Sequence, residues 1–87
     1  MNSPINTPWK KVVQVRPLDN FSLELIWEDN KKSQIGLDEL IQKKELLWRL
    51  RYPRYFRQVA VDELGGIFWP EGEDLSPEFL LHHCCRP

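Results

Sequence analysis

The sequence predicts an α+β fold: small antiparallel sheets, an N-terminal three-stranded meander plus a C-terminal hairpin, packed with two or three short helices. Three observations predict it. Residues 21–28, FSLELIWE, alternate apolar and polar between two Asp-Asn pairs. From Asp38 the apolar period lengthens to that of a helix. A diglycine at 65–66 separates two short apolar runs. Strand-rich and helix-rich stretches that each have only one greasy face must bury those faces against one another.

Residues 9–18, WKKVVQVRPL, are rich in β-branched side chains and form a first strand. Pro17 stops it and marks it as an edge strand, because proline cannot donate to a ladder. Asp19 and Asn20 make a turn. In the second strand Phe21, Leu23, Leu25 and Trp27 point one way, and Ser22, Glu24 and Glu28 the other. Ile26 is the exception; alternation of this kind is the signature of a half-buried strand. Asp29-Asn30 turns the chain again, with Asn30 able to accept positive φ in a tight hairpin. KKSQIGL then returns with Ser33, Ile35 and Leu37 on one face.

Leu37, Leu40, Ile41, Leu47 and Leu50 follow helical spacing opposite Glu39, Gln42, Lys43 and Glu45. Asp38 suits the positive end of the helix dipole, and Arg49 and Arg51 suit its negative end. Lys44 interrupts the stripe and divides the segment into two short helices. Pro53 ends helical structure, since the residue before a proline avoids the α region. Residues 56–70 then form the second hairpin. Val59 and Val61 face inward, Gly65 and Gly66 turn the chain, and Ile67 and Trp69 return before Pro70.

Composition narrows the function classes. A chain of 87 residues makes one domain, and it must rely on large side chains for its core. Four Trp, four Phe and two Tyr supply them. The expected organisation is a flexible leader at 1–8, a single α+β domain at 9–82 and a C-terminal tail at 83–87. A formal net charge of −1 provides no overall attraction to nucleic acid or anionic membrane. No apolar run is long enough to span a bilayer, and the N-terminus lacks the pattern of a secretory signal. Two adjacent cysteines, Cys84 and Cys85, cannot make a disulfide framework. A reducing cytoplasm is the expected compartment.

Three segments carry residues with chemical potential. IFWPEGEDLSPEFLL, residues 67–81, gathers Glu71, Glu73 and Asp74. Paired carboxylates can share acid–base work when their pKa values are driven apart. The same letters also spell a strand-to-helix connection. Gly72 turns, Ser76 is a favoured N-cap, Pro77 suits the first helical position, and Leu75 and Leu80 stand where a hydrophobic staple places them. The architectural reading is preferred. RLRYPRYFR, residues 49–57, interleaves Arg49, Arg51, Arg54 and Arg57 with Tyr52, Tyr55 and Phe56. Arginine and stacking aromatics suit nucleic acid; alternatively the aromatics serve the core. Residues 43–57 hold six basic side chains and one acid, and residues 62–78 hold six acids and no base. They can neutralise each other within one chain or between two copies. Finally, His82, His83, Cys84 and Cys85 are all potential zinc ligands, but four consecutive residues cannot readily converge tetrahedrally on one ion. No phosphate loop, dinucleotide fingerprint or Ser–His–Asp order is present. No cofactor and no metal is expected.

The strands VVQVRPL and FSLELIWE, the RYPRYFRQVAVD segment and above all the pattern I-x-W-P-x-G-x-D-L-x-P-x-x-L resemble a family of small bacterial domains, domain of unknown function 2442. The pattern falls on Ile67, Trp69, Pro70, Gly72, Asp74, Leu75, Pro77 and Leu80, with Ser76 inside it. The likeness covers roughly residues 10–81. It implies an α+β fold of short sheets with packed helices, and no established activity. It also implies relatives that stand alone or are joined to a helix-turn-helix, some of them encoded beside small toxin-like proteins. Asn30 replaces a usual hairpin glycine and Gly36 a common aspartate. The residues after Leu81 leave no space for an added helix-turn-helix within this sequence.

The expected function is a non-enzymatic protein-interaction module, binding itself or a small toxin-like protein as an antitoxin-like or regulatory partner. The alternatives are a nucleic-acid-binding regulator using Arg49, Arg51, Arg54 and Arg57, and a metal-dependent enzyme using the acidic loop or the His82–Cys85 tail.

Overall fold

The computed structural model describes residues 9–83; the expected leader at 1–8 and the residues beyond His83 lie outside that range. Two small antiparallel sheets and a few short helices share one core, which makes the fold α+β. The first sheet is a meander of β1 (Val12–Leu18), β2 (Ser22–Trp27) and β3 (Lys32–Gly36), in that spatial order. Then come α1 (Asp38–Lys43), a 3-10 helical run at Glu45–Arg51, and α2 (Pro53–Phe56). The second sheet is built from β4 (Ala60–Val61), β5 (Ile67–Phe68) and β6 (Asp74–Leu75), and α3 (Pro77–His83) closes the described chain.

Alternation in β2 decides the first sheet. Leu23, Leu25 and Trp27 are buried, while Ser22, Glu24 and Ile26 on the other face are only half covered. Leu23 lies opposite Pro17 of β1 and Ile35 of β3. The Trp27 indole N–H donates to the Ser33 hydroxyl at 2.7 Å, so a ring that is otherwise sealed in the core keeps its polar atom satisfied. Contrary to expectation, Pro17 does not stop β1, which runs on through Leu18. An outer strand tolerates the missing donor. Asn30 has the positive φ expected of it (70°). In the first turn the left-handed region is also entered by Phe21, at φ 57°, where a bulky side chain is strained. Two contacts hold it there: its ring meets Phe56 edge-on at 5.4 Å, and its carbonyl accepts the Leu37 N–H.

The sheets meet at the start of β1. The Val12 N–H donates to the Gly65 carbonyl at 2.9 Å. Gly65 has φ 91°, and a Cβ there would lie 2.5 Å from Lys11 Cβ, so only glycine permits this approach. The turn itself is organised by Asp62, whose carboxylate accepts the N–H groups of Leu64 and Gly66, both at 2.9 Å.

Three further expectations need correction. Pro53 does end the 3-10 run, with Tyr52 before it extended at φ −92°, ψ 118°. It also opens α2, because its fixed φ suits a first helical position. Residues 54–59 are therefore helical turn and connector rather than incoming strand, and β4 begins only at Ala60. The C-terminal hairpin gains a third strand. The chain turns at Pro70–Gly72, with Gly72 at φ 115°, and Trp69 N–H donates to the Glu73 carbonyl, so that Asp74–Leu75 pairs with β5. Tyr52, assigned to the core with Tyr55 and Phe56, is exposed; Phe56 is buried and Tyr55 half-buried.

The interior brings together Leu23, Leu25 and Ile35 of the first sheet, Ile41 and Leu50 of the helical stretch, Phe56, and Ile67, Trp69 and Leu80 of the C-terminal third. Trp69 is fully buried against Phe56, and its indole N–H reaches the Phe56 carbonyl at 2.9 Å. Ser76 caps α3 as its position implies: its hydroxyl accepts the Phe79 N–H at 3.1 Å. Leu75 and Leu80 are both buried beside that cap.

Candidate functional site: an aromatic and basic ridge beside the acidic loop

The stretch Glu45–Arg51 is two short helical pieces joined at a kink, with Leu47 outside helical geometry at φ −100°, ψ 21°; its sides are set by which residues the core takes up. Leu47 and Leu50 turn toward the core. Leu46, Trp48 and Arg51 turn away from it. Leu46 is 85% exposed, Trp48 48% and Tyr52 61%. Trp48 and Tyr52 meet edge-to-face at 6.3 Å, and the Arg49 guanidinium lies over the Trp48 ring, 4.9 Å from its centroid. The result is an exposed ridge in which Trp48, Tyr52 and Arg49 pack as an aromatic crest and Leu46 stands exposed two residues before Trp48 in the chain.

The acidic loop braces this ridge. Glu73, one of the three acids of that loop, is only 8% exposed. Its carboxylate accepts a hydrogen bond from Arg49 Nη1 at 2.9 Å on one oxygen and from the Tyr55 hydroxyl at 2.6 Å on the other. Tyr55 oxygen accepts in turn from the Glu71 backbone N–H at 2.8 Å. Burial alone would push the Glu73 pKa up; the bonds from Tyr55 and Arg49 outweigh it and hold the carboxyl below its ordinary value. Glu73 in turn raises the pKa of Arg49. Burial and the bond to Glu73 likewise raise that of Tyr55. Glu73 is therefore an ionised strut with both oxygens committed.

The other residues singled out in the sequence separate. Glu71 and Asp74 stay exposed and lie with Leu46, Leu47 and Arg49 around one open hollow. Arg51, Arg54 and Arg57 are exposed, and no ion pair to another described residue holds them. Arg57 lies by a separate cleft with Asn20, Phe21 and Pro53. The four arginines thus do not act alike: Arg49 is spent internally and the other three face solvent. Trp69, Leu75 and Leu80 of the family pattern serve the core, Pro70 and Gly72 the turn, and Ser76 and Pro77 the start of α3. His83 stacks on Phe79 at 4.0 Å. Cys84 and Cys85 lie outside the described residues. Among the described residues no three His, Cys, Asp or Glu side chains gather as a metal would need, and no helix is long and apolar enough to cross a membrane.

Neither the Arg49–Glu73–Tyr55 triad nor the ridge is legible in the sequence. The triad joins residues as far as 24 positions apart in the chain, and no local pattern announces such a contact. The ridge left one trace: Leu46 and Trp48 fall outside the helical apolar stripe.

Small sheets, an interrupted helical stretch and the W-P-x-G-x-D-L turn together define the class. The family described as "protein of unknown function (DUF2442)" matches residues 12–85, and the chain belongs to it. Among solved structures it is similar to that of a "Putative DNA Binding Protein" from Nitrosomonas europaea, with a TM-score of 0.67 and 19% identity. The match covers 76% of this chain and 43% of that one, so the chain spans less than half of its neighbour's length. That likeness shows the fold. No curated protein matches the chain.

Proposed function

We infer that this chain is a non-enzymatic protein-interaction module whose docking face is the ridge Leu46–Trp48–Tyr52, and that its partner presents an acidic segment with apolar anchors. The exposed, mutually packed Trp48 and Tyr52 beside free cations carry this reading. Tryptophan, tyrosine and arginine are the residues that most often dominate binding energy at protein interfaces. Lys43, Lys44 and Arg51 are exposed, Arg51 adjoins Tyr52 in the chain and Lys44 lies with Leu46 around one hollow, which selects acidic complements and speeds encounter. The antitoxin-like or regulatory role implied by the family likeness would be one instance of such docking. Glu73 supports the non-enzymatic part of the reading, because a carboxylate with a lowered pKa and both oxygens engaged is poorly suited to proton transfer.

A second reading has its own support. Arg51, Arg54 and Arg57 face solvent in the segment that holds Tyr52, and the structural neighbour carries a DNA-binding description. Stacking aromatics beside arginine also suit single-stranded nucleic acid.

Reconstitution separates the two. A partner captured from native lysate, then purified, should bind the parent and lose at least about tenfold in affinity with Trp48→Ala, a difference of about 1.4 kcal/mol. Binding to oligonucleotides that falls steeply with salt and disappears with Arg51→Glu plus Arg54→Glu, while no protein partner reconstitutes, would overturn the protein-docking reading.

A further inference from the structure

The face around Leu46 carries its own complement. Leu46 borders two hollows. One, of about 250 Å³, is lined by Leu40, Lys44, Leu47, Leu75 and Phe79, so it is apolar with one cation at its rim. The other, of about 360 Å³, is bounded by Leu47, Arg49 and the acidic loop with Glu71 and Asp74. Leu46 projects between them with 85% of its surface in water. A single face therefore holds an apolar knob, an apolar hole with Lys44 on one side of the knob, and on the other side the exposed acids Glu71 and Asp74 beside Arg49, whose charge is taken up by Glu73.

We propose that this face is a two-fold self-association surface, so that the acidic apolar segment met by the ridge belongs to a second copy of this chain. The proposal rests on the reading of residues 46–52 as a docking face. A two-fold contact uses the same patch on both copies and therefore demands a patch complementary to itself. An axis beside Leu46 meets that demand. It lays each Leu46 over the apolar hollow of the other copy, and it turns the Lys44 side of one onto the Glu71 side of the other, twice. A partner with a purely acidic surface fits less well, because Glu71 and Asp74 stand exposed on the same face and would repel it. The formal net charge of −1 leaves little general repulsion between copies.

Sedimentation of the purified chain over a concentration series tests this. The parent should show a reversible monomer–dimer equilibrium. Leu46→Glu should be monomeric while melting like the parent, since the side chain it replaces is already exposed. Lys44→Glu and Glu71→Lys should each weaken the dimer about tenfold, because each reversal sets like charges together at two places. Mixed in equal amounts, these two variants should recover parent-like association, as a heterodimer in which both charged contacts are restored. A parent that is monomeric up to about 1 mM overturns the proposal. So does a dimer indifferent to Leu46→Glu whose charge-reversed variants are not rescued by mixing. A monomeric parent that still binds a purified acidic partner through Trp48 removes the two-fold surface and leaves the docking face standing.

Discussion

Glu73 shows how much one side chain can decide. Three acids within four residues suggest a solvated turn or a cation site, and for Glu71 and Asp74 the solvated reading holds. Glu73 differs because the turn at Gly72 directs it inward, where Arg49 and Tyr55 supply one donor to each oxygen. Its folded pKa lies below its ordinary value of 4.5. The stability it contributes is therefore complete above about pH 4.5 and is lost as pH falls through the lower folded value. Glu73→Gln should cost about 1–3 kcal/mol at neutral pH. It should also flatten the acid limb of the stability curve, read by denaturant melts between pH 7 and pH 3. An unchanged acid limb would mean that the pairing contributes nothing. Gly66 makes a second demand at this scale. A Cβ there would lie 2.5 Å from the Leu75 carbonyl oxygen, which is backbone in β6 and cannot swing aside. Gly66→Ala should destabilise by about 1–3 kcal/mol, the usual cost of overpacking, visible as a lower melting temperature.

At the scale of elements, legibility followed the range of the interactions. The meander was readable because alternation in β2 and Asp-Asn turns are local signals. The break at Lys44 was readable because it interrupts a stripe, and the start of α3 because Ser76, Pro77 and Glu78 form a local cap. By contrast β6 is two residues long, and it pairs only because the turn at 70–72 folds it back onto β5. No period can be read from two residues. The helical turn at Pro53–Phe56 was hidden for a related reason: proline both ends one helix and begins the next, and local sequence favours neither. Two substitutions test these assignments by thermal or denaturant melts. Trp69→Ala should lose about 3–5 kcal/mol, because it empties a fully enclosed site and orphans the Phe56 carbonyl. Ser76→Ala should lose about 1 kcal/mol through the cap of α3. Parent-like melts for both would show that residues 67–81 do not hold the C-terminal third together.

Across the whole molecule, opposite charges along the sequence become a single face. The basic segment 43–57 and the acidic segment 62–78 meet at Arg49 and Glu73. That contact leaves cations beside the aromatic crest and acids beside Leu46. The composition already implied neutralisation, within one chain or between two, but not where the crest would lie. That depended on which residues of the 3-10 run the core took up: Leu47 and Leu50 went in, and Leu46 and Trp48 were left out. Salt should report the same arrangement. Screening shortens the reach of surface charges to about 8 Å at physiological ionic strength, so partner binding should weaken only modestly with added salt while the apolar contacts persist. A loss of several hundredfold would point instead to phosphate contacts. The most direct measurement is an amide hydrogen-exchange footprint of the assembled complex, whether with a second copy or with a reconstituted partner. Slowed exchange concentrated at residues 44–52 and 71–74 is the predicted result. Protection confined to β3, or to Arg54–Arg57, would contradict the assignment of the ridge as the docking face.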